Sequence, residues 1–473
     1  MRNAILAGVV AAGLAVALSA CSDITSINNN PNGPTDVAPP AILSGVIQGA
    51  VNGVNGVNSL NVRGAGLFAQ YYAEIQYRDE DRYILREVDG GWGFYSGDLE
   101  DAQRMINKGT KEGVPNWDAV GRIMKSYIYS VMTDAMGDIP YSEALKGDTV
   151  LHPKYDSQQD IYTALFADLK TASDEIAPAG IRFATGDLLY DGDMAEWKKF
   201  ANSLRLRLAM HLTNVDAATA QNEAVAAVDA GVFDSNADNA QLMYLASPPN
   251  QNPIFNNAKS RDDYGMSKTY VDSLLSWNDP RLPVFAQPNA SGNYQGLQNG
   301  LLGGPPLSDI SRIGAYWRET PNAPMALLTY SEVLFLEAEA AQRGWITGDP
   351  ATLYNAAITA SMQQYGVAAA DIAAYLAQPR VQYTAATGRT QIAYQKWVSL
   401  FMQGMEGWTE WRRTGVPTLV PGPDAMLSAP PQRLPYATSE NVLNKQSLDA
   451  AVAAQGFGTY TALDKPLWFT GRQ

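Results

Sequence analysis

The sequence predicts a mainly α fold, with tetratricopeptide-like helix pairs packed with a loop-rich subdomain. Three observations carry this. In the stretch 391–415, Tyr394, Trp397, Val398, Phe401, Met405 and Trp408 follow one another at spacings of 3, 1, 3, 4 and 3, which line one face of an α-helix. Segments of the same period recur along the chain in pairs joined by short turns, without a strict repeat length. Between 234 and 323 the pattern stops, and Pro, Asn, Gly and Asp dominate. Long irregular stretches of this kind are uncommon in compact proteins and often functional, which places the ligand-facing surface there.

Taken in order, Arg2 gives a positive start and 4–18 is an apolar run of signal-peptide length, too short to span a bilayer. Leu18-Ser19-Ala20-Cys21 matches the bacterial lipobox, so 1–20 reads as a lipoprotein signal peptide and Cys21 as the lipidation site. Acyl chains on that residue would anchor the chain to a membrane, at about 0.8 kcal/mol per buried CH₂. Cys21 is the only cysteine, so stability must come from packing rather than disulfides. Residues 21–45 form a tether rich in Asn, Pro, Gly, Ser and Asp, and 46–473 form the folded domain.

From about Val62 the pattern is helical, with Leu67, Tyr71 and Ile75 four apart. Further helices are expected near 93–105, at 120–136, at 160–176 behind a cap from Asp156 or Ser157, at 194–212 and at 217–230. In the 194–212 helix, Trp197, Phe200, Ala201, Leu204 and Leu208 face inward, while Lys198, Lys199, Arg205 and Arg207 face out or snorkel. These make one helical half, about 46–233. A short helix at 267–277 interrupts the loop-rich part, and 324–343, 353–365, 371–376 and 391–415 build the second half, about 324–473. Gly415 suits a left-handed cap, and Pro417 stops the last of these helices. Core packing is the plainer account of its three Trp.

The net charge of −14 and the lack of any long basic run exclude a nucleic-acid partner bound through phosphates. Catalytic patterns are absent. Of the two His, His211 sits among apolar neighbours late in a helix, and neither HExxH nor CxxC spacing occurs. Asp191 and Asp193 lack EF-hand spacing, and Asp193 reads as a helix cap. No metal or cofactor is therefore expected. Binding is better supported, because 24 Tyr and 10 Trp accompany many amides, a combination suited to sugar faces or peptide groups. Candidate contacts are Arg261, Asp263 and Tyr264 in the RDDY run, Tyr294, Trp317 and Arg318 further along, and Trp92 after two glycines.

The run from Gln395-Lys396-Trp397 through Glu406-Gly407-Trp408 and Trp411-Arg412-Arg413 to Gly415 and Pro417 resembles the C-terminal part of the SusD/RagB family. INNNPNGPTDV (27–37), TDAMGDIPYSEA (133–144), PKYDSQQDIY (153–162), EWKKFANSLRLRLAM (196–210), NDPRLPVF (278–285), YSEVLFLEAEAAQRGW (330–345) and PQRLPYATSENVLN (431–444) are similar in turn, in family order. The resemblance implies a SusD-like fold in a nutrient-binding, non-enzymatic lipoprotein of the outer membrane, facing the cell exterior. It also implies a SusC-like TonB-dependent transporter as partner, with the protein as its lid, and oligosaccharide or peptide as cargo. A lipid-anchored helical scaffold for protein–protein contact is the alternative, and a glycoside hydrolase a more distant one.

Overall fold

The computed structural model describes residues 37–57, 59–85 and 91–472. The signal segment, Cys21 and the tether as far as residue 36 lie outside the described residues. Helix α1 (Pro39–Asn55) begins inside the span read as tether. Pro39 suits a first helical turn, where its missing N–H is no loss, and Ile42, Leu43, Val46 and Ile47 are then buried along one side. Helices α2 (Asp98–Glu112), α3 (Pro115–Met136), α4 (Gln158–Glu175), α5 (Met194–His211) and α6 (Ala217–Asp229) follow, each packed on its neighbour in sequence. Ser157 caps α4 by accepting from the Asp160 N–H, and Asp193 caps α5 by accepting from Ala195 N–H at 2.8 Å. None of the described helices is long and apolar enough to cross a membrane.

The middle of the chain is less irregular than its composition suggests. It contains α7 (Pro253–Ser260) and α8 (Lys268–Ser276), and it contributes most of a small antiparallel sheet. That sheet orders β1 (Tyr72–Glu74), β2 (Tyr264–Met266), β4 (Arg312–Ile313) and β3 (Ala286–Gln287) side by side. Strand β1 corrects the helix expected from Val62. The chain makes a π turn at Asn61–Ala65 and a single turn at Gly66–Phe68, then Gln70 takes φ +56° and releases the backbone to pair with β2. Residues 324–343 likewise open as a strand, Met325–Leu328, before α9 (Tyr330–Gln342) begins.

After α9 come α10 (Pro350–Gln364), α11 (Ala369–Leu376), α12 (Gly388–Ser399) and α13 (Gly404–Thr414). The run 391–415 is thus two helices rather than one. Met402 takes φ +70° between them, and its carbonyl accepts from Asn61 Nδ2 at 2.9 Å. Gly404 permits this close approach, since a Cβ there would lie 2.6 Å from the Gly66 Cα. The left-handed cap at Gly415 is as expected, with φ +74° and its N–H on Trp411 O.

Two buried assemblies hold the halves together. One is aromatic: Tyr71, Tyr270, Phe285, Trp317, Trp397 and Phe401 meet edge-on, stacked or tilted at centroid distances of 4.9–6.1 Å. The other is ionic and corrects the outward facing assigned to Arg205 and Arg207, both of which are buried. Arg207 of α5 grips Glu332 of α9 with two bonds of 2.6 Å, Lys396 of α12 lies 3.1 Å from Glu406 of α13, and Arg413 of α13 meets Glu339 of α9 at 2.5 Å.

His211 joins the ionic cluster, with Nδ1 3.2 Å from Asp134 and Nε2 3.2 Å from Glu406. Burial alone would lower its pKa, but the carboxylates of Glu406 and Asp134 outweigh burial and raise it to about 9. A folded pKa above the unfolded value stabilises fully below about pH 6.5, and that stabilisation is lost as pH rises through about 9. Urea midpoints of the protein are therefore expected to fall between about pH 6 and pH 10 by more than those of His211→Gln. Parallel profiles for the two proteins would show that His211 contributes nothing to the alkaline limb.

Candidate functional site

Strands β1 and β2 pair antiparallel with Glu74 directly opposite Tyr264, so both side chains leave the same face of the sheet. Just beyond β1 the chain turns through Tyr77, whose φ of +53° carries its ring out to 73% exposure. Asp81 anchors this turn from below. Its N–H donates to Glu74 Oε2 at 3.1 Å, and its carboxylate accepts from Asn299 Nδ2 at 2.6 Å and Gly300 N–H at 3.0 Å.

Helix α7 supplies the opposite wall. Asn252 caps it by accepting from the Ile254 and Phe255 N–H groups, and the helix ends at Arg261. Asp262, at φ +54°, is clamped by Arg312 and Arg318, each with Nη2 at 2.5 Å from Asp262 Oδ2. This clamp sets the directions of its two neighbours. Asp263 accepts from Asn257 Nδ2 at 2.9 Å and pairs with Arg261 Nε at 3.1 Å, and the Arg261 guanidinium lies 5.2 Å from the centre of the Tyr77 ring.

Two clefts meet here, sharing Val57, Arg261 and Asp263. The larger, about 640 Å³, has an amide-rich wall that includes Gln48, Asn52, Asn250, Gln251 and Asn256. Met243 and Leu245 add exposed apolar surface to it. The smaller, about 490 Å³, is lined by Arg63, Glu74, Tyr77, Glu80 and Tyr264. A projecting aromatic face beside amides and a guanidinium suits a ligand with apolar C–H faces and many hydroxyl or amide groups.

The structure brings together only part of the candidate set. Arg261, Asp263 and Tyr264 share the smaller cleft. Trp92 lines a separate cleft of about 300 Å³, its indole N–H donating to Glu440 at 3.1 Å and its ring packed on Tyr95. Tyr294 is half-buried and lines neither of the paired clefts. Trp317 is 1% exposed, so no face of its ring is open to a ligand; Phe285, Tyr365 and Phe401 enclose it. Arg318 acts behind the site, through Asp262, rather than lining it. Sequence reasoning missed Tyr77, Glu74 and the amides of α1. Tyr77 stands directly before a charge-rich stretch, and only its left-handed backbone reveals that the ring projects.

One group of potential metal ligands occurs among the described residues, His211, Glu406 and Glu410. The Lys396 ammonium lies 3.1 Å from Glu406 and 3.4 Å from Glu410, so a cation already neutralises those carboxylates. The donor set fits an ion-pair cluster and not a metal site.

A family model described as SusD-like, "Starch-binding associating with outer membrane", matches residues 31–437. The chain belongs to this SusD-like family. Solved SusD-like structures agree along nearly the whole length. A chitin-binding protein is 30% identical with a TM-score of 0.82, covering 92% of this chain and 100% of its own. A chitin-binding SusD homologue from Flavobacterium johnsoniae is 26% identical with a TM-score of 0.79, over 91% and 99%. A SusD homologue from Bacteroides fragilis is 25% identical with a TM-score of 0.81, over 93% and 100%. No curated protein matches the chain.

Proposed function

We propose that this SusD-like protein captures an oligosaccharide at the paired clefts and delivers it to a SusC-type TonB-dependent transporter, over which it forms a lid. The observation that carries the reading is the exposed Tyr77 ring, flanked by Arg261 at the smaller cleft, which adjoins the amide-rich larger one. Two relatives named as chitin-binding support a glycan cargo over a peptide. The chain binds without chemistry in this reading. A lipid on Cys21 tethers it at the outer membrane with the clefts facing outward, and the chain from Pro39 onward forms the working domain. Closure is driven by ligand only through contacts that the closed state makes and the open state lacks.

Calorimetry against chitin-type and starch-type oligosaccharides, with a peptide panel alongside, tests the capture step. At least one glycan series is expected to bind, and Tyr77→Ala is expected to weaken it by about 1–3 kcal/mol, as lost aromatic stacking does. Binding of peptides alone, or an unchanged affinity in Tyr77→Ala, would overturn the assignment. Co-isolation of a TonB-dependent barrel with the wild-type chain, and loss of membrane retention in Cys21→Ala, test the partner and the anchor.

A further inference from the structure

We propose that the smaller cleft receives a protonated amine of the cargo, so that the preferred ligand is an amino-sugar oligosaccharide carrying at least one free ammonium group. The proposal rests on oligosaccharide capture at the paired clefts and deepens it.

Among the described residues, other buried carboxylates have a cation or several donors; Asp81, beside Glu74, has no cation but accepts from Asn299 Nδ2 and the Gly300 N–H. Glu332, Glu339 and Glu406 face Arg207, Arg413 and Lys396, and Asp279 pairs with Arg281 at 2.6 Å. Asp187 has no cation but accepts from the N–H groups of Leu189, Tyr190 and Gly192 and from the Trp197 indole. Glu74 stands apart. It is 3% exposed and lines the cleft, yet among the described residues it pairs with no cation and accepts only the Asp81 N–H. The two guanidiniums of the cleft are engaged elsewhere, Arg63 on Glu80 and Arg261 on Asp263.

Tyr264 provides a second, independent pointer. It is 7% exposed, lies across the strand pair from Glu74 and lines the same cleft, and its hydroxyl makes no hydrogen bond to any described residue. Neither the Tyr264 hydroxyl nor the second Glu74 oxygen is sealed from the cleft, so both are open to an incoming donor, and a carboxylate this far from solvent is costly to ionise without a counter-charge. A single ammonium between Glu74 and Tyr264 satisfies both, since its three N–H donors can bond the carboxylate and the phenol oxygen together. The amide-rich wall next door suits the hydroxyls of the remaining sugar rings, which favours an amino sugar over the lysine of a peptide.

The groups facing Glu74 are Glu80 and Asp81 on the following turn, Arg63 from the π turn, and Asp263 and Tyr264 from the neighbouring strand and its approach. Burial, then Glu80 and Asp81, push the Glu74 carboxyl up to about 9, so without a cation beside it the group holds its proton at neutral pH. An arriving ammonium offsets that repulsion, and the proton leaves to solvent. Binding is therefore expected to release protons at about pH 6, where an amine of ordinary basicity is already protonated.

The test is calorimetry of the full chain with a glucosamine tetramer, its N-acetylated counterpart and a lysine-bearing peptide, in two buffers of different ionisation enthalpy. The glucosamine tetramer is expected to bind at least about tenfold more tightly than the acetylated one, with a buffer-dependent enthalpy that reports proton release. Glu74→Gln should collapse that preference towards unity, and Tyr264→Phe should reduce it several-fold. Should Glu74→Gln fail to fold, Tyr264→Phe and the buffer dependence of the wild-type protein still decide the matter. Equal or tighter binding of the acetylated tetramer overturns the ammonium assignment while leaving glycan capture standing. Tight binding of the lysine peptide alone overturns the amino-sugar assignment, and a failure of every glycan overturns capture itself.

Discussion

Arg413→Ala is expected to lower the free energy of unfolding by about 3–5 kcal/mol, the usual cost of stripping one partner from a buried ion pair. Arg413 Nη2 lies 2.5 Å from Glu339 Oε2 and 2.8 Å from Glu410 Oε2, while Nη1 donates to Thr213 Oγ1 at 2.8 Å. Truncation leaves two carboxylates in the interior, with Arg343 and Lys396 as their remaining cations. Burial alone would raise the Glu339 carboxyl, but the Arg413 guanidinium outweighs it and holds the group down at about 2. A depressed folded pKa stabilises above the unfolded value and is lost as pH falls through about 2, so the variant should also show a flatter acid limb. Urea unfolding at neutral pH and at about pH 3 reads both effects. Arg413→Lys keeps the charge without the planar fork and should fall between. A loss below about 1 kcal/mol in Arg413→Ala would mean that the pair only offsets its own desolvation.

Arg413 also shows where a linear reading stops. Basic residues late in the 391–415 run are legible as partners of a helix terminus. Nothing in the run says that Arg413 will meet Glu339, which lies on another helix 74 positions earlier. Periodicity tells which face of a helix is inward, not which helix it meets. For the same reason Arg205 and Arg207 read as outward or snorkelling, because a cation on a buried face is legible only once its carboxylate is known. The division of 391–415 into α12 and α13 is hidden too, since Phe401 and Met405 stay in phase across the break.

The site follows the same logic. Arg261, Asp263 and Tyr264 could be singled out because the run is polar and aromatic within a Pro- and Asn-rich stretch. Trp317 shared that context and is buried, since the stretch folds into a small sheet that closes over it with Phe285. Tyr77 and Glu74 come from the other end of the sequence and reach the cleft only through the pairing of β1 with β2. The SusD/RagB motifs identified the fold because they are dense along the helices. They say little of the clefts, which are built mainly outside them.

Trp397→Ala is expected to cost about 3–5 kcal/mol of stability and to weaken ligand capture as well. The Trp397 ring stacks on Tyr71 at 5.5 Å and meets Tyr270 edge-on at 5.1 Å, and its indole N–H donates to Ala69 O at 3.0 Å. Tyr71 returns the contact, its hydroxyl donating to Trp397 O at 2.7 Å. Truncation therefore opens a cavity in the aromatic cluster and orphans the Ala69 carbonyl, two costs that add. Tyr71 immediately precedes β1, and its own carbonyl accepts the Ser267 N–H just beyond β2. Loosening Tyr71 frees the strand pair that holds Glu74 opposite Tyr264, so affinity should fall although Trp397 touches neither cleft. Trp397→Phe keeps one aromatic ring but gives up the second ring of the indole with its N–H, so it should cost about 1–3 kcal/mol, less than Trp397→Ala, with a smaller change in affinity. Chemical denaturation and calorimetry on both variants separate the effects. Full affinity in Trp397→Ala would show that the strand pair is held by its own hydrogen bonds and not by the cluster beneath it.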